Sequence, residues 1–236
     1  MAEPVLVEKG EDPSVLVVVF TGFKGGLTMP TFDFLALTKL TRYSRILLFD
    51  TEHTCYLGGI PPQLPSYAAL QGFLRENIAR LAPKHLICVG ASSGAYGALL
   101  FGHALGADYV HAFSPFTYLD RATAQASGDD EGLTAYADTI DRISALPADV
   151  QPLVDLKPVL MRDNRKTRYY VHVCRNSASD MLRAKRLIKC PGVLLLGYPC
   201  TGHGVASTLA RNHLLGDLLK LENQAHLPRR LKALLQ

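Results

Sequence analysis

Six short apolar runs, separated by segments with helical spacing, constrain the fold of this chain more than any other feature. Each run has the length of a buried strand, and none alternates apolar with polar residues as a half-exposed strand would. The runs are residues 15–20, 46–49, 86–89, 109–113, 169–173 and 193–196. The segments with helical spacing are 31–41, 67–81, 95–105, 180–188 and 204–221. This alternation predicts an α/β fold with a mostly parallel sheet of about six or seven strands and helices on both faces.

Residues 114–166 interrupt this alternation after the fourth run. The segment contains helix-like pieces around 131–146 and 150–156, and it is too long for an ordinary connection. The whole chain has 236 residues, which is enough for one α/β domain and short for two. We therefore expect a single domain over 1–236, with 114–166 inserted as a small helical cap.

Composition narrows the class of protein. Hydrophobic residues make up 48% and charged residues 19% of the chain, as in a folded globular protein. The formal net charge is +4, and the basic concentrations at 162–168, 183–189 and 229–232 are typical of solvated surfaces, so we expect no nucleic-acid binding. The acidic N-terminus and the absence of a long apolar stretch predict a cytoplasmic protein without a membrane span. The oligomeric state has no indicator in the sequence.

The chain has five cysteines, an odd number, and none of them forms a CxxC pair. We therefore expect neither a disulfide framework nor a structural zinc site.

Residues 90–94, Gly-Ala-Ser-Ser-Gly, follow an apolar run and precede an Ala/Gly-rich helical segment. A serine held on such a strand-turn-helix bend needs glycines two positions to either side, because strand and helix approach closely there. Ser92 is the candidate nucleophile, and the N–H of Ser93 is a candidate oxyanion donor. A second donor is expected from the loop after the first run, either Gly22 or Phe23.

A serine nucleophile needs a histidine base and an acid that orients the base. His203 lies between two glycines after the last run, and it is the histidine best placed to reach Ser92. His53 also follows a strand and could line the pocket. Asp180 follows the fifth run and is the candidate acid, although it or Ser179 could instead cap the next helix. The reserve acids are Asp120, Asp155 and Asp163.

With Gly90–Gly94, Asp180 and His203 in this chain order, the sequence resembles the α/β-hydrolase superfamily from about residue 15 to 221. The resemblance implies that superfamily's fold with a reduced N-terminus. It also implies two-step acyl transfer from a small-molecule or carrier-bound acyl substrate, without metal or organic cofactor. The chain departs from the superfamily in lacking a His-Gly-Gly-Gly oxyanion loop.

The expected activity is hydrolysis of an ester or thioester by a serine hydrolase. Three alternatives stay open. The same residues could serve an acyltransferase if an alcohol, amine or thiol replaces water. The chain could be a binding member of the fold without turnover. A Rossmann-like cofactor site is the third alternative, but neither glycine-rich turn contains GxGxxG or GxxxxGK[ST].

Overall fold

The computed structural model of the chain describes residues 3–162 and 166–224. Within these ranges the strands are β1 (Val5–Glu8), β2 (Asp12–Phe20), β3 (Tyr43–Leu48), β4 (His85–Ala91), β5 (Tyr109–Phe113), β6 (Arg168–Cys174) and β7 (Val193–Tyr198). They form one sheet in the order β1-β3-β2-β4-β5-β6-β7. Only β1 pairs antiparallel, with β3, and the other pairs are parallel. The predicted mostly parallel sheet is confirmed, and β1 is a strand that the apolar runs did not include.

The described residues contain ten α-helices, more than the five helical segments and two helix-like pieces that the sequence predicted. They are α1 (Thr31–Thr38), α2 (Tyr67–Leu81), α3 (Ser93–Leu105), α4 (Arg121–Ser127), α5 (Asp130–Ala135), α6 (Ala137–Ser144), α7 (Leu156–Leu160), α8 (Ala178–Lys185), α9 (Val205–Arg211) and α10 (Leu215–Leu218). Short 3-10 helices lie at Leu40–Arg42, Gln151–Leu153 and Leu221–Asn223. The single helix predicted over 204–221 is wrong, because His213 has a left-handed φ of 56° between α9 and α10. Lys39, with φ 56°, ends α1 at Thr38 in the same way.

Strand β2 shows why the sheet is covered on both faces. Its residues from Val15 to Phe20 are fully buried. Leu16, Val18 and Phe20 belong to a core shared with α2, α3 and α8. The alternate side chains Val15, Val17 and Val19 belong to a second core shared with α1, α9 and α10. A strand that faces helices on both sides needs apolar residues at every position, and this accounts for the continuous run.

The segment between β5 and β6 contains the four helices α4, α5, α6 and α7. Ile143, Leu156 and Leu160 of this segment join the same core as α3. The hydroxyl of Tyr96 in α3 donates to the carbonyl of Leu153. The inserted helices therefore pack on the sheet domain, and their role as a cap over the site stays a prediction.

In the part of the chain that the structure describes, no helix combines the length and the apolar character needed to cross a bilayer.

Candidate active site

Ser92 is the single residue that connects β4, which ends at Ala91, to α3, which begins at Ser93. Its backbone has φ 57° and ψ −121°, a conformation that a residue with a side chain adopts only under strain. A Cβ on Gly90 would lie 2.1 Å from the carbonyl oxygen of Gly94. A Cβ on Gly94 would lie 2.1 Å from the carbonyl oxygen of Phe20. The two glycines are thus required by the contact between strand and helix, as the sequence predicted.

His203 and Asp180 are brought together by the loops that follow β7 and β6. Nδ1 of His203 lies 2.9 Å from Oδ1 of Asp180, and the aspartate side chain is almost fully buried. Because a carboxylate accepts hydrogen bonds, this contact places the imidazole proton on Nδ1 and leaves the lone pair on Nε2. Nε2 is buried and has no hydrogen-bond partner among the described residues. The pair is therefore a base whose acceptor nitrogen is free.

Asp180 does not cap its helix. Helix α8 begins at Ala178, and Ser177 occupies the cap position, so Asp180 lies in the first turn with its side chain directed to His203. The reserve acids Asp120 and Asp155 have other roles, since each accepts a backbone N–H at the start of a helix, α4 and α7 respectively. Asp163 lies outside the described residues.

The structure does not join Ser92 to His203 by a hydrogen bond, because Nε2 of His203 has no partner among the described residues. Both residues nevertheless follow carboxyl ends of parallel strands, β4 and β7, and so lie along the same edge of the sheet. Nucleophile-base hydrogen bonds are often long or poorly aligned in a protein without its substrate.

The loop after β2 passes directly beside the candidate nucleophile. A Cβ on Gly22 would lie 3.7 Å from the Cβ of Ser92. The N–H of Gly22, however, donates to the carbonyl of Gly26 at 2.8 Å, so it is not free to bind an oxyanion. The prediction of Gly22 as donor is corrected for this reason. The N–H groups of Phe23 and Ser93 make no hydrogen bond to the described residues, and these two remain the candidates.

Tyr56 and Asp50 hold the loop after β2 in place through hydrogen bonds, and the sequence did not predict this role for either residue. The buried Tyr56 hydroxyl donates to the carbonyls of Thr21 and Leu48 at 2.8 and 2.9 Å. Asp50 accepts the Tyr56 N–H at 3.1 Å, and burial raises the pKa of its carboxyl despite the N–H groups that point to it. His53, predicted to line the pocket, packs with its ring 4.8 Å from that of Phe23.

A buried ion pair that was not predicted from the sequence connects the inserted helices to α8. Arg183 donates two hydrogen bonds to Asp129, at 2.8 and 3.0 Å, and both side chains are 3% exposed or less. Tyr118 and the N–H of Gly132 donate to the same carboxylate. Burial acts to raise the pKa of Asp129, but these hydrogen bonds outweigh it and hold the pKa below its usual value. Arg183 lies one turn after Asp180, so the pair anchors the helix that carries the candidate acid.

Cys174 and Cys200 form a disulfide, with their Cα atoms 4.8 Å apart. The odd number of cysteines and the lack of a CxxC pair predicted no disulfide framework, and that prediction is wrong for these two residues. Cys55, Cys88 and Cys190 are free and buried. In residues 3–162 and 166–224, no group of three or more His, Cys, Asp or Glu side chains could hold a metal ion.

No protein-family model and no curated protein matches the chain. Solved structures do match. A glycosylation-associated protein complex (Gap123) of Streptococcus agalactiae aligns at 18% identity and TM-score 0.58, covering 90% of this chain and 43% of that one. A lipase-esterase related protein from Clostridium acetobutylicum aligns at 16% identity and TM-score 0.59, covering 93% and 98%. An α/β hydrolase from a lagoon-sediment metagenome aligns at 17% identity and TM-score 0.54, covering 93% and 95%.

Other matching structures are described as esterases and as lipolytic enzymes. The chain spans less than half of the Streptococcus protein and nearly the whole of the other two. At these identities the likeness establishes the fold: the chain has the α/β-hydrolase fold, and the resemblance drawn from its motifs is confirmed at that level.

Proposed function

We propose that this chain is a serine hydrolase that cleaves an ester or thioester through an acyl-enzyme on Ser92, with His203 as base and Asp180 as orienting acid. One observation carries the proposal. His203 has a carboxylate on Nδ1 and a buried, unpartnered Nε2, at the sheet edge where Ser92 is held in a strained bend. A buried nitrogen without a partner is costly for a fold, and an incoming hydroxyl proton would satisfy it.

The reaction begins when Nε2 of His203 takes the proton of Ser92 as its oxygen attacks the acyl carbonyl. Asp180, bonded to Nδ1, stabilises the imidazolium that results. The developing oxyanion accepts hydrogen bonds from the N–H groups of Ser93 and Phe23. Collapse of the tetrahedral intermediate expels the alcohol or thiol, which receives the proton from His203 and leaves the acyl group on Ser92.

Water then enters, loses a proton to His203 and attacks the acyl-enzyme, so that the acid leaves and Ser92 is restored. If an alcohol, amine or thiol enters instead of water, the same residues carry out acyl transfer. The substrate we propose is a small-molecule or carrier-bound acyl compound. The fold hosts many chemistries, so the proposal rests on the site and not on the neighbours.

A second candidate function is binding without turnover. The observation that favours it is the missing hydrogen bond between Ser92 and Nε2 of His203. If the bend at Ser92 serves only packing, and the Ser92 hydroxyl never comes within hydrogen-bond distance of Nε2 of His203, the protein would bind an acyl ligand without forming an acyl-enzyme.

Labelling with a fluorophosphonate probe separates the two candidates. We expect rapid labelling of the wild type, none of Ser92→Ala, and strongly reduced labelling of His203→Ala and Asp180→Asn. Matched controls are Ser144→Ala, His85→Ala and Asp138→Asn, which change exposed or half-exposed residues on other elements and should label as the wild type does. Absence of labelling in folded wild-type protein would contradict the hydrolase proposal and favour binding.

A panel of short- and long-chain acyl esters and thioesters addresses the substrate. Mass spectrometry of the intact protein should show an added acyl group on the wild type and not on Ser92→Ala. Release of free acid in water, against transfer to an added alcohol or thiol, distinguishes hydrolysis from acyl transfer.

A further inference from the structure

The disulfide lies where the two loops of the candidate base and acid begin. Cys174 is the last residue of β6, and Cys200 lies two residues beyond β7. Asp180 follows the first cysteine by six residues, and His203 follows the second by three. The bond therefore joins the two chain segments whose separation sets the distance between the aspartate and the histidine.

Backbone hydrogen bonds continue the pairing of these segments past the strand ends. The N–H of Arg175 donates to the carbonyl of Tyr198 at 2.7 Å, and the N–H of Asn176 donates to that of Cys200 at 3.1 Å. Beyond these bonds one segment continues into α8. The other continues into the loop between β7 and α9, residues 199–204, which we call the histidine loop. The disulfide is the covalent link at the point of divergence.

The two segments differ in how firmly they are otherwise held. Asp180 is 1% exposed and belongs to α8, whose Arg183 is fixed by the buried ion pair. The histidine loop is exposed at Thr201 and Gly202, and a Cβ on Gly202 or Gly204 would meet nothing within 4 Å. Among the described residues, this loop is held by the contact of His203 with Asp180, by the disulfide and the Asn176 hydrogen bond at Cys200, and by the buried Val205 that opens α9. Loss of the disulfide leaves Cys200 joined to the segment after β6 by the hydrogen bond from the Asn176 N–H.

We propose that Cys174 and Cys200 are positioning residues: their disulfide holds His203 against Asp180, and its reduction by a dithiol loosens the histidine loop and slows the proposed acyl chemistry. The activity part of this inference rests on the proposed function. The geometric part, which concerns only the contact between His203 and Asp180, does not.

Reduction follows ordinary thiol-disulfide exchange. A thiolate of the dithiol attacks Sγ of Cys200, which is half-buried beside the exposed Pro199 and Thr201, whereas Cys174 is fully buried. A new sulfur-sulfur bond forms, the bond to Cys174 breaks, and Cys174 leaves as a thiolate that takes a proton. The second thiol of the reductant then displaces Cys200, so the reductant is oxidised to its cyclic disulfide and the protein gains two thiols.

The test compares oxidised wild type, dithiothreitol-treated wild type and Cys174→Ser/Cys200→Ser, with Cys190→Ser as the free-cysteine control. We expect fluorophosphonate labelling to slow by up to about a hundredfold on reduction or double substitution, the order of loss that about 1 Å of misplacement causes at a reacting site. Dithiothreitol should not slow the double variant further, and Cys190→Ser should respond as the wild type does. Circular dichroism confirms that each sample is folded.

A second readout does not depend on activity. The proton on Nδ1 of His203, shared with a buried carboxylate, should give a downfield NMR resonance in oxidised protein, assigned by its absence from His203→Gln. We expect that resonance to broaden or vanish on reduction and in the double variant. Equal labelling rates, or an unchanged resonance, in oxidised and reduced folded protein would overturn the inference. If no sample labels, the proposed hydrolase function fails, and the resonance still decides whether the disulfide positions His203.

Discussion

Replacing Asp129 by asparagine should destabilise the protein strongly, because it leaves the buried Arg183 cation without its counter-ion. The guanidinium is 3% exposed and donates two hydrogen bonds to the carboxylate. The rings of Phe116 and Tyr136, 5.4 and 5.5 Å from its central carbon, provide cation–π contacts but no anion. An asparagine oxygen can still accept a hydrogen bond, yet it carries no charge.

Removing one partner of a buried ion pair costs about 3–5 kcal/mol. Unfolding entropy near 60 °C is about 2.1 cal/mol/K per residue. For 236 residues this is about 0.5 kcal/mol/K, so Asp129→Asn should lower Tm by about 6–10 °C. The exposed pair of Arg121 and Asp141, at 2.5 Å, provides the matched control, and Asp141→Asn should cost less than about 1 kcal/mol.

Urea denaturation and calorimetry measure these costs. The double variant Asp129→Asn/Arg183→Met removes both charges and should be more stable than Asp129→Asn alone, since the buried cation is gone while an apolar chain fills its place. A cost below about 1 kcal/mol for Asp129→Asn would refute the reasoning. So would a double variant less stable than the single one.

Three further outcomes follow from the same structure. Gly94→Ala should prevent stable folding or sharply lower the urea midpoint, because its Cβ would lie 2.1 Å from a backbone oxygen of β2, whereas Gly72→Ala in α2 has open space and should stabilise by up to about 1 kcal/mol. Burial lowers the pKa of His111 from 6.5 to about 4, so between these pH values the unfolded chain binds a proton that the folded chain does not. The urea midpoint should therefore decrease as the pH is lowered from 6.5 to about 4, and it should decrease less in His111→Gln. Replacing Cys174 and Cys200 by serine should cost about 3.5 kcal/mol in urea, given a closed loop with a 26-residue separation; an unchanged midpoint would contradict the entropic argument.

The sequence predicted those parts of the fold in which the type of each residue follows directly from the burial of its side chain. A strand covered on both faces needs an unbroken apolar run, and Val15–Val19 is such a run. Helix α2 has the predicted bounds because Ser66 caps its start and its apolar spacing is regular. Strand β1 was missed because four residues carry little pattern, and its pairing with β3 decides its conformation.

The site was predictable where topology alone brings residues together. Loops that follow parallel strands lie at one edge of the sheet, and this topology predicts that His203 lies near Asp180, as the hydrogen bond between them confirms. The hydrogen bond from the Gly22 N–H to the Gly26 carbonyl depends on the conformation of the loop. The disulfide between Cys174 and Cys200 depends on the register of β6 and β7. Neither of these leaves a residue pattern in the sequence.

The candidate site consists of two parts with separate supports. Ser92 is fixed by the contact of β2, β4 and α3, in which Gly90 and Gly94 leave no room for adjustment. Asp180 and His203 are fixed by the disulfide between their loops and by the ion pair of Arg183. No described hydrogen bond joins His203 to Ser92. A bound substrate can therefore change the distance between these two residues without breaking the contacts that hold either part. Loosening the disulfide or the ion pair should therefore alter how fast Ser92 is activated while leaving the bend at Ser92 intact.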